Sequence, residues 1–177
     1  MKNNKYRVEK DSMGSMNVPL DALYGAQTQR AIENFPISGT RFFIEFINAI
    51  IVIKRSAAIV NHKLGLIDKN ISNAIISSCD KLLKKSHYEH FPIDVFQTGS
   101  GTSTNMNVNE VISSLANNKD SCNIHPNDHV NMGQSSNDTI PTAINISVAL
   151  MISKKLLPNI NDLIESIKNK EKEFQNI

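Results

Sequence analysis

Apolar residues recur at helical spacing along much of the chain, and this pattern predicts a mainly α protein. From about residue 44 to residue 63 they form a broad face with the stem of Lys54, which indicates a largely buried helix. Leu64 and Gly65 end that helix, and Asp68 is a candidate N-cap for a second one. The positions expected to face inward are Ile47, Ile50, Ile51, Ala57, Ala58, Val60, Ile71, Ala74, Ile75, Ile76, Cys79, Leu82 and Leu83.

The segments before and after these two helices carry turn and loop signals. Residues 6–19 alternate in character around a Met-Gly-Ser turn, which suits a small hairpin. An extended connector that begins at Pro92 is expected to lead into a glycine-rich loop at 99–103. A third helix over about 104–116 and a loop over 118–134 are expected to follow.

The last part of the chain predicts a long helix with an unpartnered face. Ser136 or Asn137 is expected to cap a helix that runs toward Leu157, and Pro158 is expected to kink or split it. Beyond the proline, apolar residues at helical spacing form one stripe. Its members are Ile160, Leu163, Ile164, Ile167 and, two turns later, Phe174. An apolar face without partner helices predicts assembly, or a missing remainder of the protein.

Composition narrows the class of protein. With 177 residues, 40% of them hydrophobic, the chain suffices for one domain or slightly more, and its net charge of +2 is near balance. No basic patch with interleaved aromatic residues appears, so nucleic acid is not an expected partner. Charged and amide residues interrupt the apolar stretch at 42–60, so no membrane span is expected. Cys79 and Cys122 lack a metal or redox spacing and, without a signal peptide, are expected to be reduced thiols of a cytoplasmic protein.

The most informative stretch is residues 97–110, where hydroxyls, amides and two glycines around Ser100 lead into Glu110. Glycine lets a backbone approach a ligand closely, and the N–H groups at a helix start favour negative charge. Because the stretch carries almost no formal charge, it is suited to bind a small anion through hydrogen bonds. Taken alone, such a loop is more often an ordinary helix cap.

A second polar segment at 125–142 reads His-Pro-Asn-Asp-His-Val-Asn-Met-Gly-Gln-Ser-Ser-Asn-Asp-Thr-Ile-Pro-Thr. Residues 99–112 fit the motif Gly-Ser-Gly-Thr-x-x-Asn-Met-Asn-x-Asn-Glu-Val-Ile, and residues 24–30 read Tyr-Gly-Ala-Gln-Thr-Gln-Arg. With these three segments in family order, the chain resembles class II fumarate hydratases of the fumarase/aspartase superfamily. The resemblance covers nearly the whole chain from about Tyr6 onward.

The resemblance implies a fold, a reaction and a site. Residues 1–132 are expected to form the fumarase-like N-terminal (lyase 1) domain, and residues 133–177 the first helical leg of a truncated central bundle. The implied reaction is the reversible hydration of fumarate to (S)-malate, without a metal or another cofactor. The implied substrate-binding residues are Ser100, Gly101, Thr102, Ser135, Ser136 and Asn137. A secondary anion site is implied at His125, Pro126, Asn127 and Asp128.

Other polar residues are expected to have structural roles. The alternating residues Asn105, Asn107 and Asn109 cannot all face one ligand, so most are expected to hold loop backbone. Glu110 is most simply an ordinary helix carboxylate, and the segment 24–30 is expected to form the fold. The remaining histidines are interpreted as surface residues, namely His62, His87, His90 and His129.

The chain also departs from the family pattern. After Ile112 the sequence reads Ser-Ser-Leu where the family usually has Asn-Arg-Ala, and a basic residue often found before the His-Pro-Asn-Asp segment is replaced around Cys122. The family's Thr-His segment, with a catalytic histidine, would begin just after Ile177, and its Gly-Ser-Ser loop further on. We therefore expect no catalytic residue in this chain and no activity of the chain alone. The implied partners are a small dicarboxylate and either a homo-oligomer or a separate C-terminal chain.

Two alternatives to a fumarate hydratase portion remain open. One is a fragment of another superfamily lyase, chiefly aspartate ammonia-lyase, although aspartases tend to have Gly-Ala-Gly-Thr and Ser-Thr-Asn where this chain has Gly-Ser-Gly-Thr and Ser-Ser-Asn. The other is a non-catalytic remnant or assembly module. A neighbouring reading frame that encodes the two absent segments would favour a split enzyme over a remnant.

Overall fold

The computed structural model describes residues 5–85, 87–117 and 123–176, and most of them are helical. The elements in chain order are β1 (Tyr6–Asp11), β2 (Gly14–Pro19), α1 (Ala26–Asn34), α2 (Ile44–Lys63), α3 (Lys69–Lys84), α4 (Thr102–Asn117), α5 (Ser136–Met151) and α6 (Leu157–Phe174). Short 3₁₀ turns lie at Tyr88–His90 and Gly99–Gly101, and π-helical turns lie at Pro126–Val130 and Ile152–Leu156.

Strands β1 and β2 form the hairpin that the alternating pattern predicts. Asp11 pairs with Gly14 across a two-residue turn in an antiparallel register. Arg7 fastens the hairpin to the segment that follows it, because its guanidinium donates to the carbonyl oxygens of Ala22 and Tyr24, each at 2.8 Å.

Helix α2 lies at the centre of the core and contacts α3, α4 and α5. Its bounds are those that the apolar pattern predicts, and its residues Ile50 and Ile51 are fully buried. Burial of an aliphatic side chain of this size stabilises a fold by about 1.5–3 kcal/mol. Ile75 of α3 and Ile112 of α4 complete the centre of this cluster.

The sequence expectations at the edges of these helices need correction. Val60 and Leu83 were expected to face inward but are 51% and 36% exposed, because their neighbours Asn61 and Leu82 occupy the buried positions. Asp68 does hold the N-cap position of α3, but its side chain makes no capping hydrogen bond there.

Helix α1 is capped from outside by Glu110 of helix α4. The Glu110 carboxylate accepts hydrogen bonds from the backbone N–H groups of Gly25, Gln27 and Thr28 at 2.9–3.1 Å. Burial raises the pKa of Glu110, although the three N–H donors act in the opposite direction. The expected structural role of Glu110 agrees with these contacts, and its specific form is the anchoring of a neighbouring helix at the positive end of that helix.

Helix α4 begins at Thr102, earlier than the sequence indicated, and it contains the alternating asparagines. Asn105, Asn107 and Asn109 are each at least 97% buried. The expectation that most of them hold loop backbone is met by Asn107, whose amide donates to the carbonyl of His90 at 2.9 Å. The expectation is wrong for Asn105 and Asn109. Their amides donate to the side chain of Asn131 and not to loop backbone.

Helices α5 and α6 form one continuous rod over Ser136–Phe174. Pro158 lacks the N–H that would bond to the carbonyl four residues earlier, and the wider π-helical turn at Ile152–Leu156 precedes it, so the helix widens but does not end. All residues from 148 to 176 are exposed. The predicted apolar stripe is between 41% and 60% exposed, its members being Ile160, Leu163, Ile164, Ile167 and Phe174.

The same rod is, by length and composition alone, apolar enough to cross a membrane, and 11% of its most apolar window is buried. The expectation that no segment spans a membrane stays a prediction.

Two further expectations concern the cysteines and the loop before α5. Cys79 is a free, buried thiol, and burial raises its pKa to about 12, as suits an unreactive core residue. Cys122 lies outside the described residues, as does the rest of the segment 118–122. The later part of the expected loop contains the π-helical turn at Pro126–Val130.

Candidate substrate-binding site

The first predicted segment forms a tight turn at Gly99–Gly101 directly before helix α4. Ser100 and Gly101 both have left-handed backbone conformations, with φ of 58° and 60°. A Cβ atom on Gly101 would lie 3.0 Å from the side chain of Ile140 in helix α5. Glycine is thus required at position 101 both for its backbone conformation and for the close approach of α5.

The start of helix α4 is capped by residues that precede the turn. The Gln97 side chain accepts from the N–H of Thr104 at 2.8 Å, and the Thr98 hydroxyl accepts from the N–H of Ser103 at 3.2 Å. Because Gln97 and Thr98 supply these caps, the exposed hydroxyls of Ser100 and Thr102 are not used for that purpose.

The second predicted segment forms the start of helix α5. Ser135 is the N-cap, and its hydroxyl accepts from the N–H of Asn137 at 3.2 Å. The predicted cap, Ser136 or Asn137, is therefore wrong by one or two residues. The chain is still extended at Ser135, and the helix begins at Ser136. The Asn137 carboxamide is exposed at the positive end of the helix, where neutral donors and the helix dipole together favour an anion.

The structure brings the two predicted segments together. The hydroxyls of Thr102 and Ser136 lie 3.0 Å apart, and Ile140 packs against Gly101 one turn further along α5. Hydroxyls, a carboxamide and a helix N-terminus thus converge at one place. The six predicted substrate-binding residues all belong to the Gly99–Gly101 turn, the first residue of α4 or the start of α5; we call them the donor cluster.

A cavity of about 310 Å³ opens beside the donor cluster and is lined partly by Thr98 and Thr102. Arg30 is the cation on its wall, but its guanidinium forms a forked pair with Asp11, with N···O distances of 2.7 and 3.1 Å. The hydrogen bonds from Arg30 lower the pKa of the Asp11 carboxyl. Since that positive charge is already compensated, anion binding at the donor cluster depends on neutral groups.

The predicted secondary anion site occupies a different cavity, of about 410 Å³. His125 lies in it, and its Nδ1 atom accepts from the N–H of Asp128 at 3.2 Å and lies 3.1 Å from the Asp128 carboxylate. The same cavity is lined by three other carboxylates, of which Glu9 is paired with Arg7 and Asp11 with Arg30, while Glu110 binds backbone N–H groups. The secondary site at residues 125–128 stays a prediction.

The remaining histidines are not uniformly surface residues. The His90 side chain is 14% exposed, and burial lowers its pKa. Ligand atoms of His87, Glu89 and His90 lie within 4.8 Å of one another, a spacing that a metal ion could bridge. However, the N–H of Leu23 points at Nδ1 of His90 at 3.4 Å, which favours the tautomer with the proton on Nε2, the atom nearest Glu89. That tautomer lacks a lone pair facing the cluster.

A buried amide group that the sequence analysis missed lies behind the donor cluster. The Oδ1 atom of Asn131 accepts from the side chains of Lys54, Asn105 and Asn109 at 2.8, 3.1 and 3.1 Å. Lys54 is fully buried, and burial lowers the pKa of its ammonium to about 7. A lysine on the apolar face of a helix was the available signal, but it was explained by its stem alone.

The chemistry available to the donor cluster is binding and charge stabilisation. Its members are neutral hydrogen-bonding groups, and within the described residues no histidine lies among them. Such a group of donors can hold a carboxylate and stabilise charge that develops on it. Proton transfer needs groups other than these.

The comparisons with known proteins show the family of the chain. The family model described as lyase (Lyase_1) matches residues 14–177. The "fumarate hydratase class II 2" of Pseudomonas aeruginosa is 52% identical over 164 residues, which is 93% of this chain and 36% of that protein. The class II fumarate hydratase of Halobacterium salinarum is 47% identical over 97% of this chain and 38% of its own length. This chain thus spans little more than a third of these relatives.

Solved structures share the fold. A recombinant class II fumarase from Schistosoma mansoni superposes with a TM-score of 0.89 at 44% identity, over 97% of this chain and 38% of that one. A fumarate lyase:delta crystallin protein from Brucella melitensis superposes with a TM-score of 0.90 at 38% identity, over 97% of this chain and 42% of that one. The predicted fold class, a mainly α arrangement like the N-terminal part of a fumarase, is confirmed.

Proposed function

The chain belongs to the Lyase_1 family, and from that premise we propose that it is the N-terminal portion of a class II fumarate hydratase. In this proposal the donor cluster binds one carboxylate of fumarate or (S)-malate during their reversible interconversion. The observation that carries it is the 3.0 Å contact between the Thr102 and Ser136 hydroxyls, which joins two segments otherwise far apart in the sequence.

The chemistry of the reaction explains why neutral donors are suited to this place. Removal of a proton next to the malate carboxylate places two negative charges on one carboxyl group. Preorganised hydrogen-bond donors stabilise such charge, and each contributes on the order of 3 kcal/mol in comparable sites. The exposed Asn137 carboxamide and the helix N-terminus behind it supply this kind of stabilisation.

The proposal extends to assembly and location. Residues 1–132 act as the lyase 1 domain and residues 133–177 begin a central helical bundle, whose exposed apolar stripe is covered by other helices in a homo-oligomer or by a separate C-terminal chain. The protein works in the cytoplasm, in the tricarboxylic acid cycle. A polypeptide of these 177 residues alone has no hydratase activity, because the donor cluster contains no general base.

Co-expression tests the proposal directly. This chain is produced together with a second chain that carries the Thr-His and Gly-Ser-Ser segments, and the purified particle is assayed for fumarate formation from malate by ultraviolet absorbance. We expect activity in the particle and none in the 177-residue chain. Asn137→Ala is expected to lower kcat/KM of the particle by roughly 100-fold, through kcat, since a transition-state donor is lost.

A matched control lies on the same helix. Asn145 is also an exposed asparagine of α5, with its amide turned to the carbonyl of Pro141, so Asn145→Ala should leave kcat/KM unchanged. His125→Ala should have a mild effect. Loss of turnover in His125→Ala with no effect of Asn137→Ala would reverse the assignment of the two segments.

Other functions have distinct outcomes in the same assay. Release of ammonia from aspartate without fumarate hydration would indicate an aspartate ammonia-lyase portion. An assembled particle with neither activity would favour an assembly module, a function for which the exposed stripe on α6 is the specific observation.

A further inference from the structure

Lys54 is a charged residue in the centre of the core, on helix α2, and the proposed chemistry does not use it. It is 0% exposed, and its Nζ atom donates to Oδ1 of Asn131 at 2.8 Å. Within the described residues this is the one hydrogen bond of the ammonium, although an ammonium has three donors. Burial of an amino group destabilises a fold unless hydrogen bonds or an opposite charge compensate it. We therefore asked what the buried position of Lys54 contributes.

The Asn131 carboxamide links three parts of the molecule. Its Oδ1 atom receives Lys54 from α2 as well as Asn105 and Asn109 from α4. Its Nδ2 atom donates to the carbonyl of Gln134, the residue directly before the N-cap of α5, at 3.2 Å. One amide therefore connects the helix that follows the Gly99–Gly101 turn to the segment that starts α5.

The side chains around this amide leave acceptors unused. Oδ1 of Asn105, Oδ1 of Asn109 and Oε1 of Gln134 are buried without a hydrogen-bond partner in the described structure. Three donors also converge on an oxygen that has two lone pairs. Lys54 is the nearest of the three donors, at 2.8 Å against 3.1 Å for each amide.

We propose that Lys54 is a positioning residue whose buried amino group, through the Asn131 carboxamide, holds the start of α5 in register with the Gly99–Gly101 turn. This inference rests on the proposed function, because it assigns Lys54 to the support of the same donor cluster. Lys54 does not touch the cluster. It fixes the loop at 131–134 from behind, and this loop determines where Ser135 and Asn137 stand relative to Thr102.

The charged surroundings of Lys54 are sparse. Burial lowers the pKa of its ammonium to about 7, and the groups that act on it come from α3, where the Cys79 thiol is the titratable neighbour. From α4 and the 131–134 loop, the groups that face it are neutral amides. Replacement of Asn131 by a carboxylate would therefore introduce the one strong opposite charge and raise the pKa of Lys54.

Hydrogen exchange on the 177-residue chain tests the inference without any need for activity. Lys54→Met keeps an unbranched apolar stem of similar size and removes the amino group. We expect backbone exchange in peptides covering 130–140 to become roughly tenfold faster, while the hairpin at 6–19 is unchanged, because only local opening is made easier. Lys63→Met, an exposed lysine on the same helix, is the control and should change neither region.

A second measurement remains decisive if Lys54→Met fails to fold. Lysine side-chain carbon resonances of the unmodified chain should include one that titrates near pH 7, and Asn131→Asp should move that midpoint upward by at least one pH unit. Unchanged exchange at 130–140 in a folded Lys54→Met, equal acceleration in the hairpin, or a titration unaffected by Asn131→Asp would each overturn the inference. A particle without hydratase activity but with the local exchange effect would refute the proposed function alone.

Discussion

Helix α4 buries three asparagines and a glutamate, whereas helix α6 exposes isoleucines and leucines over its whole length. Asn105, Asn107 and Asn109 are 0–3% exposed, and Glu110 is 8% exposed. Ile160 and Leu163 on α6 are 41% and 59% exposed. Both observations depart from the usual relation between polarity and burial, since α4 buries polar and apolar residues alike and α6 exposes both.

The two helices differ in how far their side chains find partners within this chain. The buried polar groups of α4 have partners within this chain: Glu110 binds three N–H groups, and Asn105 and Asn109 reach Asn131. The amide N–H groups of Asn105 and Asn109 are thus paired, although their Oδ1 atoms have no hydrogen-bond partner in the described structure. The apolar groups of α6 are exposed in the described structure, where the main contact of the helix is with the π-helical turn before it. The apolar stripe is exposed because the described part of this chain supplies no surface that covers it.

The largest expected effect comes from placing charge on the stripe. Leu163→Glu combined with Ile167→Glu should abolish self-association of the 177-residue chain, because two carboxylates would have to be buried in the interface. Asn169→Glu, on the opposite side of the same helix, should leave association intact. Light scattering measures the outcome. A monodisperse monomer with a sharp melt already in the unmodified chain would contradict self-association through α6.

A smaller but still large effect is expected inside α4. Glu110→Gln should destabilise the fold by roughly 3 kcal/mol, because a carboxamide has one acceptor oxygen where three buried N–H groups need partners. The melting temperature should fall by roughly 6–12 °C for a chain of this size. Glu33→Gln, an exposed carboxylate on α1, serves as the control for a circular-dichroism melt. Equal melting temperatures for the two variants would show that Glu110 does not anchor α1.

The sequence predicted the helices better than the contacts between them. The bounds of α2 and the stripe on α6 follow from local periodicity, which depends only on neighbours in the sequence. The role of Glu110 does not, because its partners lie some 82–85 residues away. Helical spacing shows that a carboxylate is present, but only the packed fold shows that a second helix begins opposite to it.

In the candidate site, too, the local segments were predicted from the sequence, whereas contacts between distant residues were not. Motif recognition predicted the two polar segments, and the Thr102–Ser136 contact is consistent with that prediction. The contact of Ile140 with Gly101 and the Lys54–Asn131 hydrogen bond were missed, because each joins residues that have no shared local pattern. The position of the Asp128 carboxylate 3.1 Å from Nδ1 of His125 was also not anticipated, and a carboxylate there weakens the case for anion binding at that turn.

The close approach of α5 to the turn can be tested by a pair of glycine variants. Gly39 and Gly101 both have positive φ values, 70° and 60°, but only Gly101 has Ile140 within 3.0 Å of a new Cβ. Gly39→Ala should cost about 1 kcal/mol for the backbone conformation alone. Gly101→Ala should cost about 2 kcal/mol, because overpacking is added. Urea unfolding measures both, and the combination of Gly101→Ala with Ile140→Val should recover part of the difference; equal losses would contradict the close packing.

The smallest expected effect is on the free energy of unfolding at low pH. It is tested with a buried aspartate, Asp94, and an exposed one, Asp162. Asp94 lies on the connector before the Gly99–Gly101 turn; burial acts to raise its pKa, but hydrogen bonds from Phe96, Ser38 and Gly39 lower it to about 2. Because this pKa is below the value of about 3.9 in an unfolded chain, the unfolded state binds more protons in acid. The stabilisation from Asp94 is therefore complete above about pH 4 and is lost as the pH falls through about 2.

Urea unfolding at a series of pH values between about 2 and 5 should show this loss in the unmodified chain. Asp94→Asn should flatten the pH dependence in that window, since an amide cannot take up the proton. Asp162→Asn on the exposed helix α6 should leave the slope unchanged, because nothing in the described structure holds that carboxylate in the folded state. If the free energy of unfolding had the same pH dependence in the two variants, the connector that leads into the donor cluster would not depend on the charge of Asp94. The buried aspartate and the exposed one would then not differ in their contribution to stability.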